Sequence, residues 1–99
     1  MRMKVIGIKL DGRRWRLRKR KLGRDRVVGQ CWSDGVIEVD CRLSQKRKLR
    51  TLLHELFHAL DGDLSETCCE QRSKAFADAI WAEGYREMRM DAEFRRPRR

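Results

Sequence analysis

The chain has 99 residues, enough for one domain with a small core, and 40% of them are charged against a usual ~25%, so a thin core lies under a heavily charged shell. No run approaches the ~18 apolar residues of a membrane span, and MRMKVIGIKLDG meets a charge and a turn before any signal-peptide apolar region forms, so a soluble, cytoplasmic protein is expected. The net charge of +10 is uneven: 17 Lys and Arg against five Asp and Glu in residues 1–50, two against seven in 51–85, and six against three in 86–99. The basic N-terminal half predicts weak, non-specific nucleic-acid binding, while the acidic middle suits a dication.

MKVIGIKL reads as a strand, Asp11-Gly12 as a hairpin turn, and RRWRLR as a strand that turns Arg outward and Trp15 and Leu17 inward. The basic connector KRKLGRD is expected to be exposed. RVVGQCW, SDG and VIEVD then suggest a second hairpin, giving a small antiparallel sheet of three to four strands. Ser44 caps a helix from about Gln45, whose stripe Leu49, Leu52, Leu53, Leu56 and Leu60 should pack on the sheet until Gly62 stops it. A second helix is expected from Asp63–Ser65 to about Gly84, with Cys69, Arg72, Phe76, Ala79 and Ile80 on one side and Glu66, Ser73, Ala77 and Gly84 on a flank small enough to approach the first helix closely. The expected class is α+β, with one domain over residues 1–86 and a mobile basic tail over 87–99.

Both histidines of the chain lie in TLLHELFHALDG, on the polar side of the first helix. Histidines at i and i+4 stand about 6 Å apart at Cβ, so His54 and His58 can converge on one Zn²⁺. HELFH is the HExxH pattern, in which Glu55 takes the proton of a metal-activated water. A third ligand must come from the second helix, where Glu66 faces His58 and Glu70 faces His54. Glu66 is the preferred ligand, with Glu70 hydrogen-bonding a ligand histidine or serving as the alternative ligand. A competing reading makes Asp63 and Glu66 a capping box. The four cysteines form no CxxC pair and read as reduced thiols; Cys68 is a fourth ligand only if the zinc is structural.

TLLHELFHAL, the following LSE, and Trp81, Gly84, Tyr85 and Arg86 resemble the small, often phage- or prophage-encoded gluzincin-type metallopeptidases, distantly similar to the ImmA/IrrE group. The resemblance covers residues 15–86. It implies a minimal zincin-like core of a small sheet, an active-site helix and a glutamate-bearing helix, with Glu66 as third ligand and a cytoplasmic location in the host if phage-encoded. It lacks the subdomain with which larger gluzincins stabilise the oxyanion, leaving Tyr85 or Arg72 as the available transition-state helper. The function expected is hydrolysis of peptide bonds in a peptide or protein substrate. The alternative is a basic nucleic-acid or protein binding module with a structural zinc.

Overall fold

A computed structural model describes residues 4–23 and 27–88. The elements run β1 (Lys4–Leu10), β2 (Arg13–Arg20), β3 (Gly29–Trp32), β4 (Val36–Asp40), α1 (Gln45–Leu60) and α2 (Glu66–Ala82). The α+β class follows directly. None of these helices is long and apolar enough to cross a membrane.

The first hairpin turns on Asp11 (φ 51°) and Gly12 (φ 83°), the paired positive dihedrals that match the twist of a two-residue loop. The second turns on residues 33–35, with Gly35 at φ 97° donating its N–H to the Trp32 carbonyl. The sheet is mixed, not wholly antiparallel: its order is β1-β2-β4-β3, and β4 runs parallel to β2. Burial fits this order. All five residues of β4 are buried, which suits a central position, whereas the four-residue β3 ends in the exposed Trp32 and takes the edge.

Trp15, Leu17, Ile37 and Val39 form the core, and Ile6, Ile8, Leu10, Leu52, Leu56 and Ala59 pack against it. Burying each large apolar side chain contributes about 1.5–3 kcal/mol. Helix α1 lies on β3 and β4, and α2 packs on α1, so α1 is covered on two sides. Its leucine stripe is only partly used: Leu52 and Leu56 reach the core, while Leu60 is 50% exposed.

The small-residue flank of α2 packs toward α1 as expected, and Cys69 joins it. Cys69, Ser73 and Ala77 are its buried residues, while Phe76 is largely exposed and meets Phe57 edge-on, with ring centroids 5.4 Å apart. Small side chains win that face because they let two helices approach closely. The connector after β2 is not wholly exposed either. Leu22 is buried, and its N–H donates to Asp40 Oδ2. At the other end, Glu87 accepts from Lys19 Nζ (2.7 Å) and pairs with Lys48 Nζ (2.5 Å), so packing extends past residue 86. The rest of the expected mobile tail of residues 87–99, from 89 on, lies outside the described residues.

Candidate metal centre

Ser44 caps α1 by accepting the Arg47 N–H, and Ser65 caps α2 by accepting the Cys68 N–H. Between the helices, Asp61 Oδ1 accepts the Asp63 N–H. The capping-box reading of Glu66 is therefore corrected: the cap is Ser65, Glu66 is the first helical residue, and its carboxylate is not used at the helix start. The tight turn instead directs Glu66 back toward α1.

His54, His58 and Glu66 bring one donor atom each to within 4.8 Å of one another. His54 Nε2 lies 3.0 Å from Glu66 Oε1, His58 Nε2 2.9 Å from Glu66 Oε2, and the two Nε2 atoms are 3.2 Å apart. Ligands held about 2.0–2.1 Å from a tetrahedral zinc stand roughly 3.3 Å from each other, so the two Nε2 atoms and the Glu66 carboxylate that faces both approximate one face of such a site.

The back of each imidazole is also held. His54 Nδ1–H donates to Glu70 Oε1 at 3.0 Å, and Glu70 in turn pairs with Arg50. That hydrogen bond leaves the lone pair of a neutral His54 on Nε2, facing the Glu66 carboxylate and His58 Nε2, where a cation or a proton between them satisfies it. The Arg50 guanidinium holds the Glu70 carboxyl below its ordinary range, so it stays an acceptor. His58 Nδ1 lies 3.5 Å from Cys69 Sγ. Burial above all, then the nearby carboxylates, pushes the Cys69 thiol up.

Glu55 is buried on the side of α1 that faces β3, and it has no hydrogen-bond partner among the described residues. Burial raises its carboxyl, against the lowering influence of the two histidines. It borders a cleft of about 690 Å³ lined by Arg13, Trp15, Cys31, Trp32, His58 and Glu66. Arg13 is pinned at the mouth, stacked 4.3 Å over Trp15 and donating to the Ser33 carbonyl. The approach of α1 to β3 depends on Gly29, where a Cβ would stand 2.6 Å from Thr51 Cγ2 and 3.2 Å from Glu55 Oε2.

The structure thus brings together His54, His58, Glu66, Glu70 and Glu55. It does not bring Tyr85, which is 69% exposed at the far end of α2 and lines a separate apolar cavity of about 330 Å³ with Ile6, Gln45 and Trp81. About 24 Å of helix separates the two ends of α2. Arg72 is exposed and lines neither this cleft nor the cavity. Sequence reasoning missed Cys69, Gly29 and Arg50. No spacing rule pairs Cys69 with His58, but a glycine opening a strand was a signal of close approach. The chain matches no protein-family model, no curated protein and no solved structure.

Proposed function

We propose that the protein is a zinc-dependent peptide-bond hydrolase with His54, His58 and Glu66 as metal ligands and Glu55 as general base. The observation that carries this reading is the convergence of three donor atoms beside a buried carboxylate that no structural bond occupies. Two imidazoles and one carboxylate are a zinc donor set, and a bound zinc supplies Lewis acidity, lowering the pKa of water toward ~7.

The chain's own groups supply the rest. Glu55 accepts the proton of the attacking water and returns it to the departing amine. Glu70, held by Arg50, keeps the His54 ring in register, and Cys69 buttresses His58. The cleft runs beside β3, an edge strand against which an extended peptide can pair through its backbone.

A purely structural zinc is the weaker reading, since it calls for four protein ligands and the described residues group only three. The test is Glu55→Gln beside the parent, with zinc content by elemental analysis and hydrolysis of a mixed peptide library. Retained zinc with activity reduced by several orders of magnitude supports the proposal. A zinc-loaded parent as inert as the variant on every peptide would refute it.

A further inference from the structure

Both helices lie on one side of the sheet, and the other side carries a row of cations. Alternation along β2 sends Arg14, Arg16, Arg18 and Arg20 to that side, and the register puts Lys9 of β1 opposite Arg14. Arg18 and Arg20 lie over the buried Glu38, at 3.3 and 2.8 Å from its Oε2. Burial alone would raise the Glu38 carboxyl most, but hydrogen bonds from Arg20 and Trp32 together with the two arginine charges outweigh it and hold it low. Those two arginines are therefore partly neutralised.

Lys9, Arg14 and Arg16 differ. All three are exposed and form no ion pair among the described residues. They border a shallow trough of about 490 Å³ beside Gly7, which pairs with Arg16 and leaves open the space a side chain would fill. Among the described residues, Asp34 is the only acidic one lining the trough. At the opposite edge of the same face stands Trp32, 47% exposed, its indole N–H donating to Glu38 Oε1 at 3.3 Å.

We propose that this helix-free face binds single-stranded nucleic acid, with Lys9, Arg14 and Arg16 on its phosphates and Trp32 as a stacking plane for a base. Same-face residues on a strand repeat every ~6.6 Å, close to the phosphate spacing of an extended single strand. A row of cations beside an exposed aromatic is the combination that single-strand binders use, because charge follows the backbone while the ring accepts any base. A duplex could meet the charges but not the ring, since its bases are already stacked. Lys9, Arg14 and Arg16 border none of the metal-centre cleft, whereas Trp32 at the sheet edge borders it too, so the test is run on metal-free protein.

The test is fluorescence anisotropy of a labelled 12-nucleotide oligo-dT in EDTA, with parent, Arg14→Ala/Arg16→Ala and Trp32→Leu proteins. Three phosphate contacts on a single strand predict a log–log salt slope of about −2, hence about twentyfold weaker binding between 50 and 200 mM salt. The double variant should bind at least tenfold more weakly at low salt with a slope nearer −0.7. Trp32→Leu should lose about fivefold or more with its slope unchanged. Both arginines are exposed and unpaired, so unchanged thermal melting is expected and separates lost contacts from lost fold. A double variant that keeps the parent's affinity and slope overturns the proposal. So does a duplex of the same length, or a labelled polyglutamate chain, that binds as tightly as oligo-dT.

Discussion

Replacing Gly29 with alanine tests the packing that sets Glu55 against the sheet. The new Cβ would lie 2.6 Å from Thr51 Cγ2, 3.2 Å from Glu55 Oε2 and 3.3 Å from the Glu38 carbonyl oxygen, so α1 and β3 must separate or Thr51 must shift. Overpacking of this kind costs about 1–3 kcal/mol. Removing a glycine from a strand returns about 0.5–1 kcal/mol through the unfolded chain. Taking the middle of each range, the net loss is about 1 kcal/mol, or about 4–8 °C in melting temperature for a domain of this size. Thr51→Ser deletes the closest atom and keeps the hydroxyl. Alone it should cost no more than about 0.8 kcal/mol, the value of one buried methyl, and in the Gly29→Ala background it should recover about half of the loss. Thermal denaturation by circular dichroism of the four proteins, metal-free, gives the cycle. If Gly29→Ala melts at or above the parent, or if Thr51→Ser adds its own cost undiminished in the double variant, the close approach of α1 to β3 is not what requires glycine.

Dialysis and elemental analysis should find that Glu66→Gln loses zinc and its thermal stabilisation together, as expected on removing a ligand. Glu70→Gln, which leaves the ligands in place but loosens the His54 ring, should retain zinc with about 10–100-fold lower affinity. The reverse ranking would make Glu70 the ligand. Cys69→Ala should weaken zinc binding through His58 by a similar factor, measured by competition with a chromogenic chelator, and equal affinity would remove Cys69 from the centre. In acid, Asp40 matters most: its carboxyl is held far below the usual range, chiefly by the Arg42 side chain and despite burial. Its folded pKa lies below its unfolded one, so its stabilisation is complete above about pH 4 and fades as pH falls further. Urea midpoints from pH 5 to pH 2.5 should therefore fall more steeply for the parent than for Asp40→Asn. Glu55, shifted the opposite way, is common to both proteins and drops out of the comparison. Parallel profiles would exclude the Asp40–Arg42 pair as an acid-sensitive element.

The local elements were legible in the sequence because local rules govern them. Asp11-Gly12 specifies a two-residue turn, alternation specifies the inward Trp15 and Leu17, and Ser44 specifies the start of α1. The pairing of His54 with His58 follows from helical spacing alone, and Glu66 was reachable because the turn is short enough to fold α2 back on α1. Strand order was not legible. Whether β4 sits beside β2 or only beside β3 depends on which strand is covered on both faces, and alternation within a strand does not report what lies above it. The flank of α2 that meets α1 was legible in part: the small Ser73 and Ala77 pointed to it, but that Cys69 joins them while the more hydrophobic Phe76 stays largely exposed is set by how the two helices dock. Tyr85 and Cys69 mark the limit most clearly. Both lie on the segment that carries Glu66, yet one stands at the far end of α2 and the other meets His58, because position along a helix axis and around it is converted into contact only when a second helix is docked. Sequence thus determined which residues could share a helix face, while tertiary packing decided which of those faces meet.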